Sequence, residues 1–531
     1  MKKILLFTII IMLILATFLN GWADDTDEYI NVRIRSPRLE NEFIKISGRE
    51  NIQLYIGNPL DSEFIFDSQE KDLIVKIDSY YSNGTYYNNY DDKSTEGPYH
   101  IIIEESYNDY EKALENLKKI EEETKLDGFV YYRGNNFYTV FGRYTSENRT
   151  KDIAASKFDD YNYNIENHKS NSILVFDSSG EIIFSYENNY EIFFTSGERG
   201  SIFFDGVEYH GYAAFYIIEE YKLLSINIVT IEEYLKGVVP SEIPPSWNEE
   251  ALKAQAVAAR TYAVANTHNK SNYGYHVVDN QNSQVYGGIH REYTSTNKAV
   301  EDTKNQLIYY NNSLITAFYH STSGGKTADS GNVWSITLPY LRSKEDAFSN
   351  ISPHTEWNID YTKDELIKIL TEDFGVEDIY DMEIIEISDD ERVIETSIKT
   401  DKGEVNLIKE EIRAVLGYSK LKSTWFTINK NNQINIQGYT DNLKSNLAEK
   451  NKLSFDGSKV LDTTISYNEK ESILSKEEKF QINTSPDNFT LLGRGWGHGI
   501  GMSQYGAKQM AEEGFTYDEI LEYYYTGVTV K

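Results

Sequence analysis

The chain has 531 residues, no cysteine, and 84 acidic against 52 basic side chains, for a net charge of −32. A field of that sign repels phosphates and excludes non-specific nucleic-acid binding; without thiols, disulfides, thiolate metal sites and cysteine nucleophiles are excluded too. The 40% hydrophobic content is that of a globular chain with room for several domains, and its 42 tyrosines suit strands and surfaces that stack on sugar rings.

In chain order, "MKKILLFTIIIMLILATFLNGWADD" opens with two lysines, an apolar run and small residues. It predicts a secretory signal over 1–23, either cleaved or kept as the only contact with the membrane. Residues 24–94 are β-rich, with strand-like "FIKISG", "IQLYIG" and "LIVKIDSYY". The stretch "YYSNGTYYNNYDDKSTEG" reads as a long hairpin tip or a linker of unassigned role. From 95 to 177 the order is β-α-β-β-α, closing with the strand "SILVF"; its first helix places Ala113, Leu114, Leu117 and Ile120 at helical spacing. That layout, with "FYTVFGRYTSEN", resembles a SPOR domain, a family that binds peptidoglycan glycan strands. An unrelated ferredoxin-like module is the other reading.

Residues 182–531 read as one further domain, β-rich with an Ala-rich helix, which makes the fold class α+β and multi-domain. The helix lies in "SWNEEALKAQAVAARTYAVANTH", where Ser246 and Glu249 have the spacing of a capping box behind Pro244 and Pro245. Leu252, Ala256, Ala259 and Ala263 form one stripe, narrow enough for close packing. The helix-poor segment 427–488 reads as an insertion or a β-rich flap.

Just before that helix, "GVVPSEIPPSW" places Glu242 in a turn bracketed by prolines, with Trp247 five residues on. Prolines preset the direction of the carboxylate. An apolar neighbour would raise its pKa toward general-acid use, whereas the N-terminus of the following helix would favour the anion. The plainer reading is a residue that caps or solvates a turn. Lys253 and Arg260 lie two turns apart on one helix face; Lys253 also has Glu249 at i−4 for a surface pair. "HSTSGG" offers Ser321 and Ser323 in a hydroxyl-rich loop suited to a polyol, without the surroundings of a serine hydrolase. No histidine stands in a recognisable metal-binding spacing, so neither a metal nor another cofactor is expected.

"GVVPSEIPPSWNEEALKAQAVAARTYA", "AFYHSTSGGKTAD", "LPYLRSKED" and "GRGWGHGIGMSQYGA", in this order over roughly 195–531, resemble the SpoIID/LytB family. The resemblance implies a peptidoglycan lytic transglycosylase. It would cut the MurNAc–GlcNAc β-1,4 bond of peptide-stripped glycan, leave a 1,6-anhydro end, and use Glu242 as its catalytic acid. It also implies glycan-positioning roles for Lys253 and Arg260. The alternative within the family is a glycan-binding modifier of a cell-wall amidase. Either works outside the cytoplasm, in the wall or tethered to the membrane. Some sporulation members bind zinc just before a Gln-Val-Tyr stretch; here that region is "NQNSQVYGG", with Asn282 and Ser283.

"GRGWGHGIG" remains. It has no phosphate-loop register and only His498 as a metal ligand. If it is extended, period two puts its glycines on one face and Arg494, Trp496, His498 and Ile500 on the other. It is then one wall of a glycan cleft, with Gln504 bonding a hydroxyl, or simply a core strand whose glycines relieve crowding.

Overall fold

Period-two apolar residues in the first part of the chain become strands in the computed structural model. It describes residues 28–35, 43–82, 85–87, 95–188, 192–198, 200–218, 222–268, 271, 273–436 and 482–531. The expected signal segment 1–23 and the centre of the 427–488 insertion lie outside these residues. No helix among the described residues is long and apolar enough to cross a membrane. The chain divides into two units, one of residues 20–318 with 511–522 and 527–531, the other of 319–510 with 523–526. Residues 182–531 contribute to both units.

The first unit is built on a large, mostly antiparallel sheet. Tyr29–Arg33 pairs with Lys222–Thr230, Phe43–Ser47 with Asp72–Ile77 and Ser201–Phe204, and Ile52–Asn58 with Ile192–Ser196. Alternate residues of these strands, such as Ile30, Val32, Ile44, Ile46, Leu73 and Val75, are buried, the pattern of a sheet with one face on a core. Residues 24–94 supply several strands of this sheet. Their strands find partners more than a hundred residues downstream.

The βαββα module is inserted between these strands. Tyr99–Tyr107, Gly128–Arg133, Asn136–Tyr144 and Tyr163–Asn167 form an antiparallel sheet, with Asn136–Tyr144 between Gly128–Arg133 and Tyr99–Tyr107, and Tyr163–Asn167 on the far side of Tyr99–Tyr107. Helix α1 (Tyr110–Thr124) is capped by Asp109, whose side chain accepts from Lys112 N–H, and buries Ala113, Leu117 and Ile120. Helix α2 (Glu147–Lys157) is capped by Ser146 in the same way. Gly134 and Asn135 both have positive φ, as the tight turn from Gly128–Arg133 into Asn136–Tyr144 requires. The expected closing strand "SILVF" falls elsewhere: Ser172–Phe176 pairs with Asp72–Ile77 and Ile182–Glu187. The module closes instead with "YNIEN", a polar edge strand that lacks the apolar run by which strands are recognised.

Three helices pack beside the sheet: α3 (Ile231–Glu242), α4 (Glu249–Thr267) and α5 (Thr294–Asp302). Helix α4 buries Ala251, Ala254, Ala256, Ala258, Ala259 and Ala263. Alanine on several faces lets neighbouring helices approach closely.

In the second unit Ile482–Arg494 lies between Glu356–Thr362 and Phe426–Ile436, and a second antiparallel sheet joins Ile379–Ile387, Val393–Thr400 and Gly403–Ile408. The ends of the 427–488 segment thus form a β-ribbon. The helix Lys363–Phe374 begins at a Thr362/Glu365 capping box and stops at Gly375, φ 67°. Trp357, Tyr361, Leu366, Leu370, Phe426, Phe489 and Leu491 belong to one core.

Candidate active site

Helix α3 starts at Thr230, whose hydroxyl accepts from Glu233 N–H, and buries Tyr234, Leu235, Val238 and Val239. Pro240 sits inside its last turn. The helix stops because Ile243 precedes a proline and is forced out of the helical region, to φ −136°, ψ 151°. Glu242 is therefore the last residue of a helix rather than part of a free turn. The Pro244 to Trp247 segment turns sharply, with Trp247 N–H on the Pro244 carbonyl at 3.1 Å. The cap of α4 is Asn248, whose side chain accepts from Glu250 N–H, and not the expected Ser246.

Glu242 is partly exposed. Its Oε1 accepts the Val285 N–H at 2.7 Å, which ties it to the "NQNSQVYGG" loop. Gln284, fully buried, fixes that loop by accepting from the Tyr234 hydroxyl (3.2 Å) and donating to the Ala259 carbonyl (3.3 Å). Gly237 makes room for the Tyr286 ring on α3; a Cβ there would lie 2.6 Å from Tyr286 Cε2. Ser283 Oγ accepts from Val278 N–H at 3.1 Å. Burial raises the hydroxyl pKa of Tyr262, with the Glu242 charge adding to the shift, and Ser283 bonding to the same hydroxyl works against it. Tyr262 and the Val285 amide are members of this site that a reading by motif did not single out. The backbone donor has no sequence signature, and Tyr262 is one of many tyrosines.

Arg260 is 2% exposed. Its Nε and one terminal nitrogen bond both oxygens of Glu232 on α3 (2.7 and 2.9 Å), and further bonds reach the Val300 carbonyl and Thr303 Oγ1. It clamps α4 to α3 and to the end of α5, and its donors are spent inside the fold. Lys253 is held by Glu249 (2.9 Å), Glu250 (3.2 Å) and Asp302 (3.6 Å).

The remaining expected residues lie in the second unit. Ser323 is buried, donating to Asp346 Oδ2 at 2.6 Å and sharing a bond with Ser349 Oγ at 2.8 Å. Asp346, also buried, accepts from the Tyr524 hydroxyl, and loss of hydration raises its pKa. Ser321 is partly exposed and its carbonyl accepts from Tyr505 N–H.

The glycine run is not extended beyond Arg494. Gly495, Gly497, Gly499 and Gly501 have φ of 78°, 109°, 80° and 72°, so the two-faced strand expected from the alternation does not form. Glycine is needed there for conformation and for space. A Cβ would lie 2.7 Å from the Ser323 carbonyl at Gly495, 2.7 Å from His320 Cβ at Gly497, and 2.7 Å from the Arg392 guanidinium at Gly499. What approaches this backbone is the neighbouring "HSTSGG" loop and a buried arginine. Trp496 and Thr322 exchange backbone hydrogen bonds at 3.1 and 2.8 Å.

Trp496 is partly exposed, edge-on to His354 at 4.3 Å and with Lys422 5.3 Å from its ring centre. Arg494 lies over Trp425 at 5.1 Å and 3.9 Å from Glu356. His498 Nδ1 accepts from Ile500 N–H at 3.0 Å, and its ring packs near Trp334 and His320. Lost hydration and the charges of Arg413 and Arg392 push its pKa down to about 3, so it is a neutral imidazole around pH 7. Gln504 is largely buried at the start of the helix Gln504–Glu512.

Two families match the chain: "Stage II sporulation protein" (SpoIID) over residues 219–310 and "Domain of unknown function (DUF8618)" over 339–442. An amidase enhancer of Bacillus subtilis (strain 168) is 33% identical over 308 residues, 56% of this chain but only 40% of that protein's length. Stage II sporulation protein D of the same organism is 28% identical over 321 residues, 58% of this chain and 76% of the relative. An uncharacterised protein of Brachyspira hyodysenteriae is 29% identical over 329 residues, 61% of this chain and 73% of its own.

Proposed function

Because this chain belongs to the SpoIID/LytB family, we propose that it is a lytic transglycosylase of peptidoglycan, acting outside the cytoplasm on glycan strands stripped of their peptides. The observation that carries this reading is Glu242, a partly exposed carboxyl at the end of a helix, with one oxygen held by the Val285 amide. Carbonyl ends at a helix C-terminus disfavour negative charge, whereas the amide hydrogen bond favours it. Both influences act on the one carboxyl that the reaction uses first as acid and then as base.

The reaction asks for both. Glu242 protonates O4 of the leaving GlcNAc as the C1–O4 bond breaks. The resulting carboxylate then accepts the proton of the MurNAc C6 hydroxyl as O6 bonds to C1, closing the 1,6-anhydro ring. No water enters, so the second carboxylate of ordinary glycosidases is not needed. Tyr262 and Ser283, grouped near Glu242, supply polar contacts for the charge that develops on the ring. Arg260 and Lys253 serve the site by holding α4. Arg494 and Trp496, both partly exposed, are glycan contacts in the second unit.

The test is product analysis by mass spectrometry on peptide-stripped glycan. Wild type releases 1,6-anhydro ends and Glu242→Gln does not. Identical profiles from the two proteins end the enzyme reading. The relative named amidase enhancer favours a second reading, a glycan-binding modifier of a cell-wall amidase. In that case the chain changes amidase turnover equally well with Glu242 or Gln at the position.

A further inference from the structure

Three side chains with no part in the glycan chemistry meet where the strand Asp72–Ile77 ends beside the inserted module. Asp78 follows the strand Asp72–Ile77, His100 lies on Tyr99–Tyr107, and His168 follows Tyr163–Asn167. Asp78 and His100 are fully buried and His168 is 3% exposed. One ring nitrogen from each histidine and one carboxylate oxygen of Asp78 lie within 4.8 Å of one another.

The protonation pattern of the two rings is fixed from outside the cluster. His100 Nδ1 faces the Gly142 carbonyl at 2.7 Å, and a carbonyl only accepts, so Nδ1 carries a hydrogen. His100 Nε2 then faces Asp78 Oδ2 at 2.6 Å. His168 Nε2 faces Glu166 Oε2 at 3.4 Å. Glu166 is held by Arg133 through two hydrogen bonds at 2.6 and 3.3 Å, and a carboxylate paired in this way only accepts, so His168 Nε2 carries the hydrogen. That leaves His168 Nδ1 as a bare lone pair, buried and without a hydrogen-bond partner. Asp78 Oδ1 is likewise buried without one, 3.6 Å from Arg143.

We propose that Asp78, His100 and His168 form a closed structural site for a Zn2+-class transition-metal ion. Two imidazole nitrogens and a carboxylate suit a borderline first-row dication. Each histidine bonds its other nitrogen to an oxygen acceptor, one a backbone carbonyl and one a carboxylate, the outer arrangement that orients metal-binding imidazoles. Asp78 Oδ1 is the fourth donor if the carboxylate binds through both oxygens. In the metal-free chain a proton occupies the short contact between Nε2 and Oδ2. Ligands about 2.0–2.2 Å from a tetrahedral zinc stand farther apart than this. The ion therefore displaces that proton to solvent and spreads the pair. Full burial means that it enters as the module folds and exchanges slowly afterwards. The proposal does not depend on the glycan reading.

The full chain, unfolded in chelator and refolded with Zn2+ alone or Co2+ alone, tests the site. The expected result is one ion retained per chain after gel filtration, with Co2+ giving the visible ligand-field band of a four-coordinate site. Glu166→Gln, which leaves the three ligands in place, should weaken binding about 10- to 100-fold. His168→Gln should remove the band, and His498→Gln should leave it intact. Failure of wild type to retain either ion overturns the proposal. So does retention undiminished in both His168→Gln and Glu166→Gln. Far-UV circular dichroism of the variants separates lost binding from lost folding.

Discussion

At Gly497 a single added methyl group would meet both obstacles that the fold presents to it. The residue sits at φ 109° and its Cβ would touch His320 Cβ. Gly497→Ala should therefore cost more than the ~1 kcal/mol typical of conformational freedom alone, and a lowered Tm checks this. His498 carries a pH dependence. An unfolded histidine titrates at about 6.5, whereas in the folded chain the value is about 3. Between these values the unfolded chain binds more protons, so stability is full above pH 6.5 and is lost as pH falls toward 3. His320, also pushed down by burial, acts in the same direction, while Asp346 and Glu410, pushed up by burial, act against it. Denaturation midpoints of the second unit measured from pH 7 to 4 should fall, and His498→Gln should flatten the slope.

The helices around Glu242 depend on one another. Arg260 joins α4 to α3 and α5 from a buried position, so Arg260→Met takes the bidentate partner from Glu232 and one hydrogen bond each from the Val300 carbonyl and the Thr303 hydroxyl. A loss on the order of 3 kcal/mol is expected in thermal unfolding. A direct glycan contact would instead show as a raised KM with Tm unchanged. Ala259 lies on the buried stripe of the same helix. Ala259→Leu should cost about 1–3 kcal/mol by overpacking. Helix α4 and its stripe were legible because Ala-rich periodicity is a local property. Its cap was misplaced by two residues because Pro244 to Trp247 form a turn of their own, which consumes Ser246.

For the whole molecule, the order of strands in space differs from their order in the chain. Removal of residues 28–94 takes away partners of Lys222–Thr230, Ile192–Ser196 and Ser172–Phe176. Such a truncated chain should fail to fold, seen as loss of the cooperative unfolding transition; a soluble, cooperatively folding product would show that 24–94 is separable after all. Composition could not reveal this, since strand pairing across more than a hundred residues leaves no trace in local polarity.

The sequence by itself determined the elements whose causes are local: the alternating strands and the Ala-rich helix. It also carried the family resemblance, through motifs that are contiguous in the chain. Tertiary structure alone decided what meets what. Glycines read as a flat face for a ligand are bent, left-handed positions pressed against the loop at 320–325. Asp78, His100 and His168 have no spacing that suggests a common site, and they converge because three separate strand ends do. Local sterics and periodicity act over a few residues and can be read along the chain; close approach between distant segments exists only once the chain has folded.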